Sequence, residues 1–408
     1  MKSWSAVSIP QLPGSGQLLH LWNEMSGRVE PTKPNDGRAT MYVCGITPYD
    51  STHMGHAATY VTFDLVNRVW RDAGYSVGYV QNVTDIDDPL LERALKVGKD
   101  WKEIAAQEIQ RFQDDMVALR VLPPDDYVLV TEHMNGIIAW ITRMIDVGSA
   151  YSVDRDVYFD SQSANVEHHV AHLSVEQQLE IFAQRGGDPI RPGKRNQLDA
   201  LLWRGKRPGE PSWDAPFGAG RPGWHIECLA IAQDFLGRPV TVQGGGSDLV
   251  FPHHEMCHLQ SAALDQTDFA SLFAYAGMVC YQGEKMSKSL GNLVFVSDLV
   301  AAGIDPMAIR LSILSSHYRQ SWEWSNARLD QAQTRLASWN AALAMQAGAS
   351  AMGVLDDVRQ ALANDLDVPA ALAFIDAWAH DTIAGNGEDP QAQGVVARML
   401  DSLLGIAL

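Results

Sequence analysis

Three short segments contain most of the residues whose types and spacing could do chemistry. They are CGITPYDSTHMGH at 44–56, WHIEC at 224–228 and KMSKS at 285–289. The first and third combine glycines, histidines and lysines, which can bind and neutralise nucleotide phosphates. The first and second each contain a cysteine, whose thiolate is a ligand for soft metals. Together the segments indicate an enzyme that activates an amino acid with ATP, and the thiols suggest that sulfur is involved.

The segment HMGH follows a predicted strand and begins a predicted helix. The amino end of a helix presents free N–H groups and a partial positive charge, so it can bind phosphate. Gly55 allows the backbone to approach a nucleotide closely. His53 and His56 could donate hydrogen bonds to a triphosphate as charge develops. Two surface histidines beside a helix end are the alternative interpretation of this segment alone.

The segment KMSKS places Lys285 and Lys288 where they could bind the α-phosphate and the departing pyrophosphate. Its serines and the preceding Gly283 are typical of a loop that closes over ATP. Alone, such a string is typical of a solvated loop. Its combination with HMGH on a strand-to-helix turn favours an ATP site.

Cysteines and histidines at three places could form a metal site. Cys44 ends the first predicted strand of the sheet near HMGH, and Cys228 lies in WHIEC. His253 and Cys257 are four residues apart, which places them on one face of a helix. Thiolate and imidazole ligands suit Zn²⁺, and an open position could accept a substrate thiolate. Small core residues are the alternative, because free cysteines are commonly buried.

Two polar segments follow predicted strands at 75–84 and 239–244. Ligands of parallel sheets lie beyond the carboxyl ends of the strands, and Asp248 could bind a ribose hydroxyl there. A plain glycine turn is the alternative for the second segment. Asp85, Asp87 and Asp88 after the first segment could also contact the ligand, and helix capping is the alternative for at least one of them. The residues that we predict to contact the ligand at these ends are Asn82, Val83, Thr84, Gly246, Ser247 and Asp248.

A strand, a glycine-containing turn, a helix and a second strand follow one another near the start of the chain. Residues 38–44 are apolar and β-branched, as in a buried strand. From Ala57 the apolar residues recur with helical spacing, and residues 75–84 form the second strand. This order predicts an α/β fold built on a parallel, doubly wound Rossmann sheet.

Composition changes along the chain predict five segments. Prolines and irregular patterns predict a connective insertion, and the tail is helical and rich in Ala and Leu. The segments are the first half of the catalytic core at 1–120, the insertion at 121–200, the second half of the core at 201–284, the KMSKS loop and stem at 285–325, and a C-terminal helical domain at 326–408.

The overall composition is typical of a globular protein. The 408 residues are 46% hydrophobic and 20% charged. The 31 basic and 49 acidic residues give a net charge of −18, which opposes a large nucleic-acid footprint. No secretory signal or membrane span is indicated. We therefore expect a cytoplasmic monomer with no membrane partner and with cysteines outside disulfides.

The motifs resemble those of the class I cysteinyl-tRNA synthetases. The matching segments, within residues 38–325, are MYVCGITPYDSTHMGHAATYV, NVTDIDD, GEPSWDAPFGAGRPGWHIEC, GGGSDLVFPHHE and GEKMSKSLGN. The resemblance implies a Rossmann catalytic core with an inserted connective domain and a cysteinyl-adenylate intermediate. ATP, with Mg²⁺, would be a substrate. Contacts to the adenylate would come from Cys44, Gly45, Ile46, Thr47, Thr59, Trp224 and Val279.

The resemblance also implies one zinc ion per chain, which holds the substrate thiol. By position, Cys44, Cys228 and His253 match the zinc ligands of the family. The synthetases place a glutamate four residues after the histidine, where this chain has Cys257. Whether Cys257 binds zinc, or the site has three protein ligands, stays open.

Other segments depart from the synthetases. From Asn326 onwards there are four arginines, no lysine and ten acidic residues, a net charge of −6 that would repel an anticodon stem. The loop at 185–189 resembles the RGGDP segment of the actinobacterial mycothiol-pathway ligases, which join cysteine to the amine of glucosaminyl-inositol. CGIT at 44–47 and TDIDDP at 84–89 favour the same family.

These departures predict an ATP-dependent, AMP-forming ligase of mycothiol biosynthesis. It would join cysteine to glucosaminyl-inositol through cysteinyl-adenylate, with His53, His56, Lys285 and Lys288 as the catalytic residues. No tRNA partner is expected. A cysteinyl-tRNA synthetase with a shortened tail is the alternative, and a catalytically inactive paralogue is a third possibility.

Overall fold

A parallel sheet of five strands forms the centre of the structure, a computed structural model that describes residues 1–34, 36–49, 52–286 and 291–408. A hairpin of β1 (His20–Asn23) and β2 (Arg28–Pro31) precedes this sheet. The strands of the sheet are β3 (Arg38–Val43), β4 (Ser76–Val83), β5 (Asp126–Leu129), β10 (Val240–Gly246) and β11 (Ala270–Ala276). Their order is β11-β10-β3-β4-β5. The predicted α/β fold is therefore confirmed.

Helices cover the central sheet and connect its strands. The helix after β3 is buried along much of its length, because it packs apolar residues between the sheet and the tail. The helices that surround the sheet are α1 (Met54–Asp72), α2 (Asp88–Val97), α3 (Trp101–Ala118), α4 (Met134–Asp146), α6 (Trp224–Leu236) and α7 (Glu255–Asp265). β3, α1 and β4 form the predicted βαβ unit.

A second sheet of four antiparallel strands lies within the insertion. Its strands are β6 (Ala150–Val153), β7 (Asp156–Phe159), β8 (Leu201–Gly205) and β9 (Gly220–Pro222), and α5 (Val175–Gln184) lies between β7 and β8. The sheets do not divide at residues 121 and 200, where we predicted the ends of the insertion. β5 follows residue 121 but pairs with β4, whereas β8 and β9 follow residue 200 but pair with β7.

The remaining elements lead from the catalytic half of the chain into a helical tail. A small sheet contains β12 (Val279–Tyr281), β13 (Glu284–Lys285) and β14 (Trp322–Glu323). The helices are α8 (Val296–Ala301), α9 (Pro306–Leu314), α10 (Asn326–Leu343), α11 (Ala351–Ala363), α12 (Val368–Ile383) and α13 (Ala392–Leu404). In the described part of the chain, no helix combines the length and hydropathy that crossing a membrane needs.

A buried ionic cluster joins the helical tail to the core. Asp64 and Arg68 on α1 and Arg310 on α9 all have fully buried side chains. Asp64 accepts hydrogen bonds from both arginines. Arg310 Nε also donates to the carbonyl of Leu404, and Arg68 Nη1 to the carbonyl of Asp401, at the end of α13. The last helix is therefore tied directly to the helix that follows β3.

Candidate active site

The order of the central strands reverses between β3 and β10. β4 and β5 lie on one side of β3, and β10 and β11 lie on the other. Ligands of open parallel sheets bind in the crevice at such a switch point. The first motif directly follows β3, and Gly246 is the last residue of β10. The fold therefore places the HMGH and GGGSD segments at one crevice.

Both histidines of HMGH lie at the amino end of α1. His53 is the N-cap residue, and its Nδ1 accepts a hydrogen bond of 3.0 Å from the N–H of Gly55. The rings of His53 and His56 stack with their centroids 4.0 Å apart. Thr59 Oγ1 donates to the carbonyl of Gly55 at 3.2 Å. The two imidazoles thus lie at the amino end of a helix, which favours the binding of phosphate. Their catalytic role stays a prediction.

The backbone after β3 packs tightly against the end of β4. A Cβ on Gly45 would lie 1.6 Å from the carbonyl oxygen of Asn82, so only glycine fits. The N–H of Gly45 donates to Asn82 Oδ1 at 2.8 Å, and the N–H of Thr84 donates to the carbonyl of Ile46 at 3.0 Å. The structure therefore brings these predicted residues together. Val83 is instead fully buried in the apolar core.

Cys44, Cys228 and His253 form the predicted metal group. One ligand atom from each residue can be chosen so that all of them lie within 4.8 Å of one another. The two Sγ atoms are 3.8 Å apart. Cys44 follows β3, Cys228 lies on α6, and His253 lies in the turn before α7. The fold therefore assembles, from three distant segments, a set of donors that suits zinc.

The environment of these donors fits a bound cation. His253 Nε2 is buried and has no hydrogen-bond partner among the described residues. Burial lowers the pKa of His253 well below its usual value, which keeps the imidazole in the neutral form that binds metals. Burial and the nearby Cys228 raise the pKa of Cys44, so a thiolate there needs a positive charge beside it. Zinc would supply that charge.

Cys257 lies outside this donor group. Its Sγ donates to the carbonyl of His225 at 3.3 Å. The residues from Val250 to His254 form a separate turn in which Phe251 is not helical, and α7 begins only at Glu255. The break at Phe251 precedes His253, so the helical spacing of His253 and Cys257 is not interrupted, but the Cys257 thiol bonds to a backbone carbonyl. Of the two alternatives, the geometry supports three protein ligands.

Further polar residues surround the thiol of Cys44. His254 Nε2 lies 3.1 Å from Cys44 Sγ, and Gln243 Nε2 lies 3.5 Å from it. His254 Nδ1 lies 2.9 Å from the hydroxyl of Tyr275. Sequence reasoning missed these neighbours. The signal for Gln243 was an amide within the buried strand PVTVQG, where an unpaired polar group would be costly.

The second lysine segment is only partly described. Lys285 belongs to β13, which pairs with β12. The side chain of Lys285 and the whole of Lys288 lie outside the described residues, so their roles stay predictions. Val279 is buried in the apolar core and belongs to the small sheet of β12–β14. β12 also contacts α1, and the role of Val279 in binding the adenylate stays a prediction.

A cavity of about 840 Å³ adjoins the metal group. Thr47, Trp224 and Asp248 line it, as do residues of the insertion sheet. The ring of Trp224 stacks on His253 with the centroids 4.2 Å apart. Trp224, a predicted adenylate contact, therefore both touches a metal donor and lines the cavity.

Comparisons with known proteins agree with this arrangement. Residues 30–334 match the family model described as the tRNA synthetases class I (C) catalytic domain. Among solved structures, methionyl-tRNA synthetase of Mycobacterium tuberculosis with methionyl-adenylate is similar, with a TM-score of 0.63 and 16% identity over 90% of this chain and 89% of that one. A putative arginyl-tRNA synthetase of Campylobacter jejuni gives 0.58 and 13% over 92% and 94%. These similarities show the fold.

Curated relatives match over the whole length. Proteins of Thermobispora bispora, Streptosporangium roseum and Acidothermus cellulolyticus are 55%, 53% and 54% identical, and each match covers all of this chain and all of the relative. All three are named L-cysteine:1D-myo-inositol 2-amino-2-deoxy-alpha-D-glucopyranoside ligase. The chain therefore belongs to the class I synthetase catalytic-domain family and, within it, to the family of these cysteine ligases.

Proposed function

We propose that this protein is a monomeric ligase that joins L-cysteine, by way of cysteinyl-adenylate, to the amine of glucosaminyl-inositol in mycothiol biosynthesis. The observation that carries the proposal is the position of the Cys44, Cys228 and His253 donors. Cys44 and the histidines at the start of α1 both follow the carboxyl end of β3, at the switch point of the sheet. A thiol-binding site beside a phosphate-binding site suits the adenylation of cysteine. The names of relatives similar over the full length support the choice of acceptor.

The donor group would select cysteine by its sulfur. Cys44, Cys228 and His253 would hold one Zn²⁺ ion, which would supply a soft Lewis acid for the substrate thiolate. A serine hydroxyl is a harder and less acidic ligand, so serine would bind less well. Trp224, stacked on His253, excludes water from one side of that imidazole.

In the first half-reaction, a carboxylate oxygen of cysteine attacks the α-phosphorus of ATP, and the bond to the bridging oxygen of pyrophosphate breaks. His53 and His56 are placed to donate to the phosphate oxygens at the amino end of α1. Lys285 and Lys288, with Mg²⁺, would neutralise the departing pyrophosphate. Catalysis then comes from positioning and from charge stabilisation.

In the second half-reaction, the neutral amine of the acceptor attacks the carbonyl carbon of the adenylate. The bond between that carbon and the phosphate oxygen breaks, AMP leaves, and the nitrogen loses a proton. Thr47, Trp224 and Asp248 line the space from which the amine would approach. The product is an amide.

The helical tail favours this acceptor over tRNA. Three of its four arginines already have contacts within the chain. Arg335 pairs with Asp376, Arg359 pairs with Asp72, and Arg328 Nη1 donates to the carbonyl of Ser312. Few cationic groups are left for a phosphate backbone, and the tail has a net charge of −6.

Two assays on the purified protein test the proposal. We expect ATP–pyrophosphate exchange that depends on cysteine and is far weaker with serine, because the donor group binds a thiolate. We also expect one amide product per AMP when cysteine, ATP and glucosaminyl-inositol are present, as measured by mass spectrometry.

The outcomes separate the alternatives. Absence of exchange at saturating substrates would rule out the ligase and favour an inactive paralogue. Exchange without the amide would indicate another acceptor. Transfer of cysteine to tRNA, with no amide, would favour the synthetase.

A further inference from the structure

The cavity beside Trp224 has walls that the activation of cysteine does not use. One wall is formed by the start of α2, and the other by β7, β8, β9 and the loop after α5. Its volume of about 840 Å³ lies within the roughly 300–1,000 Å³ that is typical of small-molecule sites. Neither histidine of HMGH is among its lining residues. The space is therefore separate from the predicted phosphate site and adjoins the predicted adenylate contacts.

Hydrogen bonds connect the charged groups on this wall of the cavity. Arg204 on β8 and Arg221 on β9 both donate to Asp88 on α2 and to Glu210. Arg221 is nearly buried, whereas the Arg204 side chain is 34% exposed. The distances from Arg204 to Asp88 and Glu210 are both 3.4 Å, so these bonds are long. The guanidinium of Arg204 can therefore exchange a weak bond for a ligand hydroxyl.

A second carboxylate lines the same wall. Glu92 is four residues after Asp88 on α2, so the two side chains share a helical face. Glu92 is exposed, lines the cavity and has no ion pair or side-chain hydrogen bond within the described part of the chain. Glu92 and Arg204 line the same cavity. The carboxylate accepts hydrogen bonds from hydroxyls and the guanidinium donates to them, so the pair supplies both groups that recognition of a polyol requires.

The RGGDP segment closes the cavity on the side of the insertion. A Cβ on Gly187 would lie 2.3 Å from the ring of Phe182, so the loop can pack in this way only with glycine there. Arg185 Nη1 donates to the carbonyl of Phe251 at 2.9 Å, which ties the loop to the turn that contains the metal donor His253. Asp188 accepts from the hydroxyl of Tyr158 and from Lys194. The loop is therefore a fixed wall of the cavity.

We propose that this cavity binds the acceptor, an amine-bearing polyol, and that Glu92 and Arg204 determine specificity by contacting its hydroxyls. This inference rests on the proposed function and specifies where its second substrate binds. The amine would point towards Thr47 and Trp224, next to the adenylate. The hydroxyl-bearing rings would lie between α2 and the insertion sheet.

Steady-state kinetics of Glu92→Gln and Arg204→Gln, with glucosaminyl-inositol as the varied substrate, test this inference. Each change removes a charged hydrogen-bonding group, so we expect the acceptor KM to rise on the order of tenfold. Cysteine-dependent ATP–pyrophosphate exchange should stay at the wild-type rate, which also reports that the variants are folded. Arg195→Gln is the matched control, because Arg195 pairs with Asp160 elsewhere on the insertion and does not line the cavity.

Three results would overturn the assignment. An unchanged acceptor KM in both variants would show that the acceptor binds elsewhere. A parallel loss of exchange would place the two residues in the activation step. Failure of the wild-type protein to form the amide would instead overturn the proposed function, and the acceptor site with it.

Discussion

Individual donors at the metal group come from segments that are far apart in sequence. Cys44 and Cys228 are 184 residues apart, yet their sulfur atoms approach to 3.8 Å. The orphaned Nε2 of His253 favours a bound cation. Burial raises the pKa of Cys44, so its thiolate would need such a cation beside it. We therefore expect each donor to bind a metal ion only together with the other two.

Removal of one donor should abolish stable metal binding. We expect Cys228→Ser to lower the zinc content from about one per chain by tenfold or more, because a serine hydroxyl is a poor ligand for zinc at neutral pH. Metal analysis of the purified, desalted protein measures this. Cys280→Ser, on β12, is the control and should keep its zinc. Cys257→Ser should also keep it, and loss of zinc in that variant would make Cys257 a ligand after all.

The donors themselves could be predicted from local motifs, but their partners could not. Cys44, Cys228 and His253 stand in segments with specific spacing. Gln243 and His254 touch Cys44 only because β10 lies beside β3, which is a long-range contact. The i, i+4 argument placed Cys257 on the helical face of His253, but it could not show that the Cys257 thiol bonds to the carbonyl of His225.

At the scale of elements, α3 supports the turn that leads into α1. Asp115 on α3 is buried, and α3 packs against α8. Burial, together with Asp114 and Asp298, raises the pKa of Asp115 from its ordinary 3.8 to about 7. The native state therefore binds this proton more tightly than the unfolded chain does.

This carboxyl should make stability depend on pH. Protonation favours the folded state, so its contribution is present below about pH 4 and is lost as the pH rises through about 7. We expect Asp115→Asn to be more stable than the wild type at pH 8, by on the order of 1–2 kcal/mol, and to lose that advantage at pH 5. Urea unfolding at both values measures the difference. If the difference in the free energy of unfolding between Asp115→Asn and the wild type did not vary with pH, the assignment of the raised pKa to Asp115 would be contradicted.

The central elements could be predicted from local patterns, but the strand pairing of the insertion could not. β3, α1 and β4 are close in sequence and have clear apolar periodicity. β5 has only four residues and follows two prolines, so the sequence alone did not connect it to β4. In the insertion, Val157 pairs with Trp203 across a helix and the RGGDP loop. Pairing at such separation is set by tertiary packing, which no local pattern contains.

At the scale of the whole molecule, the cluster of Asp64, Arg68 and Arg310 fixes the tail to the core. We expect Arg310→Leu to lower the free energy of unfolding by about 3–5 kcal/mol, because it removes one partner from a buried ion pair and leaves two carbonyls without their donor. Chemical denaturation measures the loss. Arg335→Gln, which breaks a partly exposed pair in the same tail, should cost no more than about 1 kcal/mol. Equal losses would contradict a dominant role for the cluster.

Trp224 both stacks on His253 and lines the cavity, which has a consequence for inhibitor design. A compound confined to the space between α2 and the insertion sheet would compete with the acceptor, and it would compete with ATP only where it reached Asp248. Such a compound could be joined to a thiol by a linker that passes the edge of the indole. One molecule would then occupy the cavity and reach the metal donors at the same time. The walls supplied by the insertion sheet, rather than the nucleotide crevice common to the fold, would then determine its selectivity.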